Sequence, residues 1–578
     1  MTPLPVVSSP PAAGRGRARW HRSVNLLPIA YLAAIAAVSI VHPLLPQWRW
    51  LLVHLLLLGA AGNAILIWTT HFAAAVLRVP ADPRRAEATR LVLLNLGIGG
   101  VLAAGTVGTG WLGVTGSLAI FIAVLAHLWA LATRLRRSLP ARFAVTVHYY
   151  LAAAIAVLVG VPVGGWMLVD SAHRDRLVLF HAHVNLLGWV TLTVLGTLLT
   201  LWPTVLRTRM AGSTVPAAIV ALPLAVSGLV QLGIGLLAWW PTMAVLGLVL
   251  FAAAVVAVAA PAVAVAWRRP PSSFAAWSIA AGLGWLLVAL VWDVRLLAAA
   301  DAGIARDGFH TVLSPLLVGF VGQVLIGALA HLLPMALGGG PSAVRANAAA
   351  LDRYGPQRVV TANLALAIFL MPVGAYVRIT ASLLVLGTLL QFLLAALRLL
   401  VAARVPRVAP PPAAATGPHR VGQPWRGVSA GLVLVLVAVL AGTIAERAAG
   451  PTVPDASPAA ANIGRTSTVA VAIRGMRYHP DRIEVPRGDR LIIEVVNDDD
   501  RDHDLVLATG PRTPRIRRGA AVRLDAGVVD TAIDGWCSLP GHRQQGMVLT
   551  VVPIDAAAPA GPREIPRNPE EHGDVQSD

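Results

Sequence analysis

The chain has 578 residues, 56% of them apolar and 13% charged, with a mean hydropathy of +0.70. That balance excludes a soluble globular protein and requires most of the chain to be dissolved in lipid. The formal charge of +18 comes from Arg alone, since the chain has no Lys. These Arg residues fall at membrane-facing positions rather than in one patch, which argues against nucleic-acid binding. A single Cys rules out an intrachain disulfide.

In chain order, residues 1–23 read as a disordered cytoplasmic head carrying Arg15, Arg17, Arg19 and Arg22. A membrane-spanning helix needs about 20 apolar residues. Twelve such runs fill 24–402: 24–41, 51–74, 91–109, 111–133, 143–168, 177–204, 215–237, 241–267, 274–294, 309–337, 358–377 and 380–402. A Pro/Ala-rich cytoplasmic loop, 403–426, leads to a thirteenth run at 427–445. Arg residues crowd the head and the second, fourth and twelfth connections, as in Arg78, Arg84, Arg85 and Arg90, then Arg134, Arg136, Arg137 and Arg142. The first connection has Arg49 alone. The Arg-rich side is cytoplasmic, so the amino terminus is inside and thirteen crossings place the remainder outside. The expected location is a bacterial cytoplasmic membrane, with lipid as the main partner.

Eight histidines lie within the runs, and ionisable groups there usually mark function. The topology sorts them into two layers. His54, His181, His183 and His310 sit near the outer ends of helices 2, 6 and 10, and His71, His127, His148 and His331 near the inner ends of helices 2, 4, 5 and 10. His54 and His71 lie about 25 Å apart along helix 2 at 1.5 Å per residue.

Helices 2, 6 and 10 also repeat. Aligning "HLLLLGAAGNAILIWTTH" (54–71), "HVNLLGWVTLTVLGTLLTLWP" (183–203) and "SPLLVGFVGQVLIGALAHLLP" (314–334) superimposes Gly59, Gly188 and Gly319. His54 then falls on His183, and His71 on His331. The unit is four helices, used three times.

Twelve helices in three arcs, with His on helices 2, 6 and 10, resemble the catalytic subunit of the haem–copper oxidase and nitric oxide reductase superfamily. "FHAHVNLLGWVTLTVLG" looks like a motif of its distant members, including bacterial membrane halves fused to copper nitrite reductase-like domains. The resemblance implies His54 and His310 as ligands of haem b, and His181 and His183 at an active-site metal. It departs at helix 7, "VPAAIVALPLAVSGLVQLGIGLLA", which lacks the expected His pair, and near His310, where a second His is missing. It therefore implies haem or metal binding rather than oxygen reduction in the usual manner.

After a Pro/Ala-rich tether (446–465), residues 466–553 change character. "DRIEVPRGDRLIIEVVN" reads as strand, turn, strand, and "MVLTVVPI" as another strand. The lone Cys537 is followed by His542 and Met547, with His503 upstream. Two imidazoles, a thiolate and a weak axial thioether form the ligand set of blue copper. Pro540 and Gly541 turn the chain between Cys537 and His542. The stretch resembles azurin-like and auracyanin-like cupredoxins, which implies an all-β sandwich and one type-1 copper held by His503, Cys537, His542 and Met547. Asp504 stands where azurin-like proteins often carry Asn. Residues 554–578 read as a disordered tail.

The expected fold is thus a multi-pass α-helical membrane domain of twelve plus one helices and an extracytoplasmic cupredoxin sandwich. The expected function is electron exchange between type-1 copper and haem or metal centres in the membrane domain, reducing a nitrogen oxide or oxygen. An external protein serves as electron donor or acceptor. The alternatives are a copper transporter or chaperone, which the scarcity of Met and Cys disfavours, and a cupredoxin on an inert scaffold.

Overall fold

The computed structural model describes residues 12–45, 47–80, 82–168, 173–299, 302–403, 424–448, 465–499, 502–539, 542–543 and 546–554. Of the predicted head, residues 1–11 lie outside them, while 12–23 belong to a helix, Ala12–Val24; most of the predicted cytoplasmic loop, tether and tail, together with Pro540 and Gly541, also lie outside them. The chain divides into two compact units, Met1–Ala448 and Ala449–Asp578.

Among the described residues, the first unit holds twelve helices long and apolar enough to cross a membrane. The first ten are α1 (Arg19–Val41), α2 (Trp48–Leu77), α3 (Arg84–Val107), α4 (Gly110–Arg137), α5 (Ala144–Trp166), α6 (Arg174–Val205), α7 (Thr214–Ala238), α8 (Pro241–Arg268), α9 (Phe274–Ala299) and α10 (Gly308–Leu337). Two shorter helices follow, α11 (Gly340–Asp352) and α12 (Gly355–Leu370). The last two long ones are α13 (Tyr376–Ala402) and α14 (Trp425–Arg447).

The eleventh predicted run, 358–377, is therefore corrected. Its helix has 16 residues and ends where the chain breaks at Met371–Gly374, and 1.5 Å per residue gives it about 24 Å. It nevertheless runs parallel to α14. A Cβ on Gly427 would meet Pro356, one on Gly431 would meet Val360, and one on Gly442 would meet Val377, just beyond the α12–α13 break. The ends of α12 thus match the levels of Gly427 and Gly442 on a helix long enough to span.

The three-fold repeat is written into the packing. Gly59, Gly188 and Gly319 each lie in an eight-residue π-helical segment, Leu55–Gly62, Val184–Thr191 and Pro315–Gly322. Each glycine receives a side chain from the first helix of its own unit: Tyr31 on α1, Ala156 on α5 and Trp285 on α9. The crossing of α3 and α4 reappears between α7 and α8. A Cβ on Gly97 would stand 2.6 Å from the Gly116 carbonyl, and one on Gly228 would stand 2.6 Å from that of Gly247.

The polar pairs repeat too. Asn63 on α2 and Asn95 on α3 exchange amide hydrogen bonds, and Tyr31 donates to Asn95. Gln323 on α10 and Asn363 on α12 do the same, with Trp285 donating. The short α12 therefore occupies the place that α3 holds in the first unit.

In the second unit, inward residues of two four-stranded sheets form one core. The orders are β2-β1-β4-β6 and β3-β8-β7-β5. The strands are β1 (Thr466–Arg474), β2 (Arg477–His479), β3 (Arg482–Pro486), β4 (Arg490–Asn497), β5 (Val506–Leu507), β6 (Ala521–Val528), β7 (Ile533–Trp536) and β8 (Val548–Ile554). In β4 the alternation buries Leu491, Ile493, Val495 and Asn497. The predicted turn at Arg487–Asp489 does not make a hairpin. It carries the chain from β3, paired with β8, to β4, paired with β1 and β6.

Candidate metal centre

Cys537 follows β7 directly, and Met547 precedes β8. The antiparallel pairing of these strands closes the loop between them, and the Cys537 amide donates to the Met547 carbonyl at 3.2 Å. His503 comes from the stretch before β5, fixed by reciprocal backbone bonds with Ile516. Among the described residues, the ligand atoms of His503, Cys537 and His542 form a group within 4.8 Å of one another. The two Nδ1 atoms are 3.2 Å apart, and Sγ lies 3.4 Å from His542 Nδ1.

Three electron-pair donors converging on one point suit a cation better than they suit each other. His503 and Cys537 are fully buried, His542 is half-buried, and Met547 is sealed in the same core. Burial pushes the Cys537 thiol up to about 12, against the opposing pull of backbone hydrogen bonds from Asp504 and Leu539.

Two acidic residues support the ligands. Asp504, where an Asn was expected, accepts from the Ser538 amide at 2.6 Å and from its hydroxyl at 2.5 Å. This ties the residue after Cys537 to the residue after His503. Asp499 places a carboxylate oxygen 3.4 Å from His503 Nε2, as carboxylates behind metal-binding histidines commonly do. Asp499 was not among the residues expected here; its signal in the sequence is an acid four residues before a candidate ligand within "NDDDRDHD".

The membrane histidines meet different partners. His54 meets His181, with ring centres 6.5 Å apart. His183 is fully buried, and both its nitrogens are taken, Nδ1 by the Leu179 carbonyl at 2.7 Å and Nε2 by Asp293 at 2.7 Å. Asp293 on α9 also went unread, although an acid inside an apolar run is itself a functional signal. His310 sits on an exposed face. In the inner layer, His127 bonds Thr69 at 2.9 Å and exposed His148 bonds the Ala144 carbonyl of its own helix. His331 Nε2 is buried with no hydrogen-bond partner among the described residues. His71 packs edge-on against His21 and lines a cavity of about 400 Å³ with Trp20, Asp82, Glu87 and Arg90.

No family model and no curated protein matches this sequence.

Proposed function

We propose that this chain is a membrane-anchored copper redox protein. Its second unit is a cupredoxin that holds one type-1 copper on His503, Cys537 and His542, with Met547 as the axial ligand. The observation that carries this reading is the convergence of those three ligand atoms within 4.8 Å. Zinc prefers four comparable ligands in a tetrahedron, whereas two imidazoles and one thiolate with a weak thioether suit copper.

Copper bound there supplies one-electron transfer. The protein's own part is to keep the ligands still. His503, Cys537 and Met547 sit in a close-packed core, and Asp504 clamps the loop through Ser538. A fixed ligand set changes little between oxidation states, so an electron moves at low reorganisation cost. His542 is the ligand with partial exposure, which makes it the port for electrons. The electron partner is a centre in the membrane unit.

The Arg-rich ends support an inner amino terminus. The parallel course of α12 and α14 supports thirteen passages, which put the second unit outside. The decisive experiment is a visible spectrum of the purified full chain after copper loading. An intense blue absorption is expected in the wild type and lost in Cys537→Ser, with the membrane unit still folded. A blue band that survives in Cys537→Ser, or a wild type that binds copper without colour, refutes the assignment.

A further inference from the structure

His54 ends the first stretch of α2 and His181 lies in the first stretch of α6. His54 Nδ1 is 2.8 Å from the Trp50 carbonyl, and the Trp50 ring lies 4.1 Å from the imidazole, centre to centre. His181 Nδ1 is 2.9 Å from the Gly160 carbonyl of α5. A carbonyl only accepts, so Nδ1 of each ring carries the proton and donates it; the Asn185 amide nitrogen, 3.3 Å from His181 Nδ1, makes its shorter bond to the His181 carbonyl instead. Nε2 of each ring then keeps its lone pair, and no described residue hydrogen-bonds to either one.

Helix α5 makes room for this arrangement. A Cβ on Gly164 would stand 2.6 Å from His181 Cε1, and one on Gly160 would strike Asn185, whose amide donates to the His181 carbonyl at 2.7 Å. Fixing the outer nitrogen of a ligating imidazole on a carbonyl is how proteins aim the inner one.

The ring centres are 6.5 Å apart and the ring planes differ by 26°. Two imidazole nitrogens, each about 2 Å from one ion and in line with it, put their ring centres roughly 6 Å apart; a tetrahedral angle shortens this to roughly 5 Å. The separation fits two imidazoles in line with one ion and is too wide for a tetrahedral angle at one ion. Helices α2 and α6 approach one another again eight residues further along each, where a Cβ on Gly62 would stand 3.8 Å from Trp189, and helices held that close favour a bare ion over a macrocycle between the rings. Among the metals that imidazole suits, monovalent copper is the one that takes two ligands in a line. It brings a single charge, which costs less to hold within a membrane than the two of a divalent ion.

We infer that His54 and His181 bind one Cu(I) ion in linear coordination and so join α2 to α6. The site lies wholly within the membrane unit and does not depend on the blue-copper assignment.

The test uses the full chain with the blue site removed, His503→Ala/Cys537→Ala, titrated with Cu(I) against a competing chelator. One tightly held Cu(I) per chain is expected, with an X-ray absorption spectrum of two nitrogen neighbours and no sulfur. Adding His54→Ala or His181→Ala should abolish this binding, and adding His148→Ala should leave it intact. Retention of the ion by both histidine variants overturns the inference, as does a spectrum with three or more neighbours. A haem Soret band in the purified protein that vanishes in both variants overturns it as well. Should either variant fail to fold, the absorption spectrum of the parent decides alone. In the otherwise wild-type chain, His54→Ala should lower the copper content from two to one and leave the blue band unchanged, so failure of this site and failure of the blue site read differently.

Discussion

Asp504 holds two donors of one residue, the amide and hydroxyl of Ser538. Hydrogen bonds to a charged acceptor contribute about 1.5–3 kcal/mol each, and because Ser538 is exposed its freed donors turn to water, which holds the loss toward the lower end. Asp504→Ala should therefore destabilise the second unit by roughly 1–3 kcal/mol and speed copper loss, while Asp504→Asn, which keeps an acceptor, should cost less. Denaturant unfolding and copper dissociation rates measure both, and equal effects of Ala and Asn would show that the clamp does not matter. The Cys537 thiol makes a second residue-scale prediction. Its folded value of about 12 lies above the ordinary thiol value. The metal-free unit therefore has its full stability from this group below pH of about 8.5, and loses it as pH rises from there through the folded value near 12. Metal binding must displace that proton, so copper uptake at neutral pH should release one proton per ion that Cys537→Ala does not release. Calorimetry in buffers of different ionisation enthalpy measures it.

At the scale of elements, the glycine crossings give the repeat an energetic test. Gly97 and Gly228 each face a backbone carbonyl at 2.6 Å from the position of an added Cβ, and backbone moves less readily than a flexible side chain. Gly97→Val and Gly228→Val should both destabilise the membrane unit, by at least about 2 kcal/mol, because each overpacks a helix crossing. Gly99, two residues from Gly97 on the same helix, has nothing within 4 Å of an added Cβ, and Gly99→Ala should be close to neutral. Heat inactivation of the detergent-purified protein compares the three. A mild Gly228→Val beside a severe Gly97→Val would mean the two crossings are not equivalent. The same scale explains the histidines. His181 and His183 are two residues apart, which is about 200° around a helix of 3.6 residues per turn. They were therefore bound to face different neighbours, and they do: His181 faces α2 and α5, and His183 faces Asp293 on α9.

For the whole molecule, the parity of crossings decides which side of the membrane the second unit faces. Among the described residues, twelve helices meet the length a span requires. The sixteen-residue α12 takes the place of α3 in its repeat and shares the course of α14. Counted as a passage, it puts the second unit on the side opposite the amino terminus. Protease added to intact cells, after wall removal where needed, should then cut between residues 448 and 465 and release the second unit. Cleavage there only after lysis would show that α12 does not cross and that the unit lies inside.

Sequence alone determined what depends on composition and order along the chain. Hydropathy set the lipid-soluble bulk and twelve of the thirteen runs, because a span is a local property of about 20 residues. The order His503, Cys537, His542 named three residues whose ligand atoms the fold brings within 4.8 Å of one another, because two of them share one loop between paired strands. Gly59, Gly188 and Gly319 marked the repeat before any packing was known. Tertiary structure decided which side chains meet. It gave His183 to Asp293 and His54 to His181, shortened α12, and set Asp499 and Asp504 behind the ligands. These outcomes rest on helix rotation, crossing points and strand pairing between segments far apart in the chain. A one-dimensional pattern of apolar and polar residues carries the period of an element, but not the partner it will face.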